Sequence, residues 1–249
     1  LKRAIALGEE VNACRVLANT PGGDMTPTAL AKAAQVSVRG TTARVTILGR
    51  KEIEKEKMGA VLGVARGSVE EPKFIVMEYW GEGKSAKRKP MVLIGKGVTF
   101  DTGGLNLKPS NGILEMHMDM SGGAAVIHTV ALAAKLKLKK NIIGLIPAVE
   151  NMPSGESYRP GDILHSASGK TIEVLNTDAE GRIILADALT YALRFKPGFI
   201  FDLATLTGAA HVALGNYASA IFTNQDALVQ KFMEIGFCSG DYVWNMNLW

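Results

Sequence analysis

Cysteine is almost missing from this 249-residue chain: Cys14 and Cys238 are the only two, far apart and outside any CxxC pair. That scarcity excludes a disulfide framework and a thiolate zinc site, and it fits a reducing, cytoplasmic environment. Histidine is scarce too, and the four present, His117, His128, His165 and His211, lack metal-ligand spacing, so each reads as a structural or surface residue. No apolar run reaches the roughly 18 residues of a membrane span, and the amino end is charged and amphipathic, without a signal-peptide core. Because the chain opens on Leu1, its natural start is expected upstream, which leaves room for a removed targeting segment. Internal repeats, low-complexity stretches and heptads are also absent.

What is present is apolar: 47% of the residues are hydrophobic and 21% charged. A chain of this length buries roughly 70–75% of the surface its unfolded form exposes, so no metal is needed merely to hold it folded. Any metal site is therefore expected to be functional. The net charge of +4 is spread along the chain, apart from two short runs, Lys84 to Lys89 and Lys135 to Lys140, which read as solvated loop or helix-end charges. Nucleic-acid binding is accordingly a minor alternative.

Apolar spacing predicts a helix over residues 1–19, ending before Asn19-Thr20-Pro21-Gly22-Gly23, and a second helix starting at Thr26-Pro27. Short β-branched or aromatic runs predict strands at Ala43–Leu48, Ala60–Val64 and Phe74–Tyr79, followed by an exposed basic loop at Gly81–Pro90. From Met91 onward strand and helix alternate: strands Met91–Ile94, Asn141–Val149 and Phe199–Leu203, helices Ala124–Leu136, Ile183–Phe195 and Asp226–Ile235. Near-continuous apolar strands such as Ile142-Ile143-Gly144-Leu145-Ile146 are the mark of burial on both faces, which predicts an α/β fold, a three-layer sandwich with a central mixed, mostly parallel sheet. Ligands in such sheets sit beyond the carboxyl ends of the strands, here the long loops Gly95–Ser110, Glu150–Asp162 and Asn176–Gly181.

Those loops hold the acidic residues. Gly95-Lys96-Gly97-Val98-Thr99-Phe100-Asp101-Thr102-Gly103-Gly104, Met116-His117-Met118-Asp119-Met120-Ser121-Gly122-Gly123 and Asn176-Thr177-Asp178-Ala179-Glu180-Gly181-Arg182 each set acids among glycines and apolar flanks. An ionised carboxylate in such surroundings must be compensated, shift its pKa or recruit a cation. Asp178 and Glu180 are two apart, so in an extended backbone they would face the same way. The methionines at 116, 118 and 120 likewise read as alternation in an extended segment. Ser168-Gly169-Lys170-Thr171 ends like a phosphate-binding loop, but Leu164 stands where the first glycine is needed.

The third segment resembles the signature heptapeptide of the leucyl aminopeptidase family, the M17 peptidases, and the segments around Lys96 and Asp119 are similar to that family's other two metal-binding motifs, in the same order. The resemblance runs through most of residues 10–249. It implies two divalent metal ions, zinc or manganese with cobalt or magnesium possible: one bound by Asp101, Asp178 (its backbone carbonyl included) and Glu180, the other by Lys96, Asp101, Asp119 and Glu180. It implies further that Lys108 stabilises the oxyanion, that Arg182 holds a bicarbonate acting as general base, and that a metal-activated water attacks the peptide. Met116 and Thr205 would line the pocket for the first side chain, with Leu206 and Gly208 offering backbone groups. An apolar pocket distinguishes one methylene by only about 1–3 kcal/mol, so a broad, leucine-leaning specificity for peptide substrates follows.

The resemblance also sets expectations about extent and assembly. Residues 1–19 would be the linker helix from a missing amino-terminal domain, and 20–249 the metallopeptidase catalytic domain without its last segment. His117 stands where many relatives have lysine and Gly123 where many have alanine, neither a ligand position. The full-length protein is expected to be a homohexamer with no membrane association. The competing reading is a catalytically inactive fragment or a scaffold or nucleic-acid-binding relative.

Overall fold

The computed structural model describes all residues from Leu1 to Trp249. They form two compact units, Leu1–Thr205 and Leu206–Trp249. The first runs α1 (Lys2–Asn19), α2 (Pro27–Ser37), β1 (Arg44–Leu48), α3 (Arg50–Lys55), α4 (Gly59–Ala65), β2 (Lys73–Trp80), β3 (Met91–Gly95), β4 (Gly97–Asp101), α5 (Ser110–Ile113), α6 (Ser121–Lys135), β5 (Asn141–Asn151), β6 (Ile163–His165), β7 (Thr171–Glu173), α7 (Glu180–Ala192) and β8 (Phe199–Leu203). The second holds α8 (Ala209–Leu214), β9 (Ala218–Ile221), α9 (Asp226–Ser239) and β10 (Tyr242–Asn245).

Six strands of the first unit make one sheet in the order β1-β2-β5-β3-β8, with β4 also paired to β5. β1 with β2 and β2 with β5 are antiparallel; β3 with β5, β3 with β8 and β4 with β5 are parallel. Alternate residues of a strand point to opposite faces. Phe74 and Val76 of β2 and Ile143 and Leu145 of β5 accordingly pack in one core with α3, α4 and α7, while Ile75, Met77, Ile142 and Ile146 pack in a second core with α2 and α6. Gly144, in the middle of β5, lets α6 close in: a Cβ there would lie 2.9 Å from Val126 Cγ1. The mixed sheet with helices on both faces is the architecture expected from the apolar strands.

Local chemistry accounts for the elements. Thr26 Oγ1 accepts the Ala29 N–H at 3.2 Å and Pro27 opens α2, which buries Leu30, Ala31 and Ala34. In the second unit β9 and β10 pair in parallel across α9, and Gly240, at φ +77°, ends that helix.

Four expectations need correction. Residues 60–64 are helical, within α4, because Asp187 of α7 accepts the Ala60 and Val61 N–H groups at 2.9 and 3.0 Å and caps the segment from a distance. The stretch Gly95–Ser110 is not all loop: β4 continues β3 along β5 with an unchanged offset (Ile94 opposite Leu145, Gly97 opposite Ala148) until the register shifts between Val98 and Phe100. Met116–Met118 form a 3-10 turn rather than an extended segment. Thr177–Ala179 do the same, and Glu180 opens α7, so Asp178 and Glu180 are not two residues of one extended strand.

Candidate metal centre

Lys96 occupies the single residue between β3 and β4. Its backbone is fixed on both sides: its N–H donates to Leu203 O at 2.9 Å and its carbonyl accepts from Gly123 N at 2.8 Å. Glycine permits that approach, since a Cβ on Gly122 would lie 2.0 Å from Leu203 O and one on Gly95 would lie 2.5 Å from Gly122 O. The start of α6 is thus pressed against β3 and β8, and Asp119, just ahead of it, is carried to the Lys96 side chain.

Asp101 ends β4. Beyond it Gly103 and Gly104 adopt φ values of +88° and +65°, a left-handed turn that returns the chain so that Lys108 N bonds Thr102 O at 2.9 Å. The third segment is started by Asn176, whose Oδ1 accepts the Asp178 N–H at 2.8 Å. It is tied to the Asp101 loop through Thr177, which donates from Oγ1 to Gly103 O at 2.6 Å and exchanges backbone and side-chain bonds with Asn106.

The three segments bring their charged groups together. Lys96, 2% exposed, is ion-paired with Asp119 Oδ2 at 2.8 Å and Glu180 Oε1 at 2.7 Å and donates to Thr205 O at 2.7 Å. Lys108 is ion-paired with Asp101 Oδ2 at 2.6 Å and donates to Asp178 Oδ1. Carboxylate oxygens of Asp101, Asp178 and Glu180 lie within 4.8 Å of one another. Four carboxylates therefore face two ammonium groups, and a deficit of positive charge remains inside a buried site.

The titration behaviour follows from that crowding. Burial, then the neighbouring Asp101 charge, pushes Asp119 up to about 6 despite Lys96 and Thr205, and burial with Asp101 and Asp119 pushes Glu180 up to about 7. Burial pulls both lysines down, but their carboxylate partners outweigh it and hold Lys96 and Lys108 above the ordinary lysine range. Asp119 Oδ2, wholly buried, has the Lys96 ion pair but no well-aligned hydrogen bond. Oxygen donors in excess with an amine among them suit hard or borderline divalent cations, so the donor set fits such an ion.

The remaining residues singled out in the sequence are placed as follows. Arg182 is exposed in the first turn of α7 and makes no side-chain hydrogen bond or ion pair. Thr205 donates from Oγ1 to Asp119 Oδ1 at 2.6 Å, so it touches the acid cluster. Met116 is half-buried in its 3-10 turn. Leu206 and Gly208 belong to the second unit, where Gly208 precedes α8. Sequence reasoning passed over Asn151 and Tyr158, both buried and both bonded to Thr177 O, at 3.0 and 2.6 Å. A polar residue closing the apolar run of β5 was the available signal for Asn151.

Known proteins are similar to this chain over nearly all of its length. The family model described as cytosol aminopeptidase family, catalytic domain, matches residues 12–249. A protein named "Probable cytosol aminopeptidase" from Burkholderia multivorans is 48% identical over 248 residues, covering 100% of this chain and 49% of its own length. Its namesake from Burkholderia mallei is 48% identical over 247 residues, 99% of this chain and 49% of its own. The solved cytosol aminopeptidase of Coxiella burnetii superposes with a TM-score of 0.92 at 38% identity, over 98% of this chain and 52% of that one. The chain thus spans about half the length of these relatives. With the catalytic-domain pattern matched from residue 12 to the last, the chain belongs to the cytosol aminopeptidase family.

Proposed function

We propose that this chain carries the catalytic centre of a metal-dependent aminopeptidase that removes N-terminal residues, preferably leucine-like, from peptides. One observation carries the reading: acids from three distant segments converge on a buried site whose only internal counter-charges are Lys96 and Lys108. Asp101, Asp178 and Glu180 would hold one divalent ion, and Lys96, Asp101, Asp119 and Glu180 the other, zinc or manganese by preference with cobalt or magnesium compatible. When bound, the pair supplies Lewis acidity toward the scissile carbonyl and acidifies a water.

The protein's own groups do the rest. Lys108, kept charged by Asp101 and Asp178, donates hydrogen bonds to the carbonyl oxygen as negative charge develops there. Lys96 would have to be neutral to serve as a ligand, and Asp119 and Glu180 would then be free to turn to a cation. Arg182, an unpaired guanidinium near Glu180 in sequence, would hold a bicarbonate that moves the proton from water to the leaving amine. Met116 and Thr205 would border the first side chain, and Leu206 and Gly208 would offer backbone groups to the peptide. Within the full-length protein we place this centre in a cytoplasmic homohexamer.

Release of p-nitroaniline from leucine p-nitroanilide by the full-length protein, with manganese or zinc added after chelation, tests the reading. Turnover that returns with metal is expected, and turnover indifferent to chelation and metal would end it.

A further inference from the structure

Asn151 closes β5 and is fully buried. Its Nδ2 donates to Asp101 Oδ1 at 2.8 Å and to Thr177 O at 3.0 Å. Its backbone carbonyl accepts both Thr102 N at 3.0 Å and Thr102 Oγ1 at 2.8 Å. Both acceptors of the amide are oxygens, so the reverse orientation would set oxygen against oxygen, and the direction of the side chain is fixed. Its own Oδ1 is buried without a hydrogen-bond partner, beside Gly104, where a Cβ would come within 2.8 Å of it.

Asp101 Oδ1 also accepts the Gly103 N–H at 2.9 Å, so that oxygen is taken up by two protein donors. Oδ2 is the oxygen turned to Lys108. Thr177, at the other end of the amide, immediately precedes Asp178.

We infer that Asn151 is a positioning residue: one amide nitrogen, by donating both its hydrogens, sets the distance between the Asp101 loop and the 176–180 turn and leaves Asp101 a single oxygen, Oδ2, for cations. The inference rests on the metallopeptidase reading above. Tyr158, whose hydroxyl donates to Thr177 O at 2.6 Å, supports the turn alone and does not touch Asp101 through a hydrogen bond.

The test is zinc affinity of the full-length protein, by competition with a chromogenic chelator. Asn151→Leu keeps the volume and removes both donors; Asn151→Asp keeps the shape and replaces the donating nitrogen with oxygen. Both are expected to bind zinc about 10–100-fold more weakly than wild type. The KM for leucine p-nitroanilide at saturating zinc should stay near the wild-type value while kcat falls, and Tyr158→Phe should shift zinc affinity far less. Wild-type affinity in both Asn151 variants overturns the inference and leaves the metallopeptidase reading standing; absence of zinc binding by the wild type overturns both. Should the variants not fold, a crystal structure of the zinc-loaded wild type decides. Asp101 Oδ1 still bonded to Asn151 Nδ2 supports the inference, and Oδ1 ligating an ion with the amide turned away overturns it.

Discussion

A lysine only 2% exposed needs counter-charges within hydrogen-bonding reach, and Lys96 finds them in Asp119 and Glu180. Those acids have folded-state pKa values raised by burial to about 6 and about 7, and both must be ionised to ligate. Zinc affinity, measured by chelator competition at pH 5.5, 6.5 and 7.5, should therefore climb with pH, by up to about tenfold per unit for each proton released. The metal-free fold should respond in the opposite sense. A carboxyl whose folded pKa exceeds its unfolded one favours the fold fully below the unfolded value and loses that contribution as pH rises through the folded one, so the melting temperature of the metal-free protein should fall from pH 5 to pH 8. Lys108→Ala, which removes the donor beside Asp101 and Asp178, should lower kcat about 100–1000-fold at saturating metal, read from steady-state turnover. At this scale the candidate ligands were legible because acids among glycines and apolar flanks are hard to explain otherwise. Asn151 was not, because its importance lies in two acceptors 26 and 50 residues away in the chain, and spacing along a sequence carries no trace of them.

Helices and strands were legible where burial imposes a period. β8 stands at Phe199–Leu203 as its apolar run predicts, and β3 and β5 differ from expectation only at their ends. The segment Ala60-Val61-Leu62-Gly63-Val64 was misread because it holds only apolar residues and one glycine, so neither period is visible, and the decisive partner, Asp187, lies far along the chain. Asp187 also accepts the Ala167 N–H at 2.7 Å, tying α4, α7 and the β6–β7 hairpin at one carboxylate. Asp187→Ala would strand two buried N–H groups and a part-buried third, and should cost about 3 kcal/mol or more in a urea titration. The β3–α6–β8 junction is equally intolerant: Gly122→Ala drives a methyl into Leu203 O and should cost about 1–3 kcal/mol, with metal affinity falling as Asp119 is displaced from Lys96.

At the scale of the molecule, α1 is held by charge as much as by apolar packing. Ile5, Leu7, Val11 and Val16 are exposed, whereas Glu10 is buried against His128 Nδ1 at 2.7 Å and the Lys135 ammonium, both on α6. Glu10→Ala should loosen α1 by about 1–2 kcal/mol, discounted for the partly exposed Lys135, and hydrogen exchange should report the loss in α1 before any other helix of the first unit. The positive charge of the chain is scattered rather than gathered, so a gel shift with duplex DNA at low salt should show no retained complex. Fold class was legible from the doubly buried strands, but the two-unit division was not, because Ala204-Thr205-Leu206-Thr207-Gly208 reads as one continuous loop. The paired lysines have one more effect. Since each acid already has an ammonium at hand, the acids need no ion to balance them while the chain folds, and the divalent ions proposed above could be accepted afterwards. Loss of an ion to a chelator would then return the lysines to their posts instead of unravelling the chain, and loading and unloading should be repeatable on the same molecule.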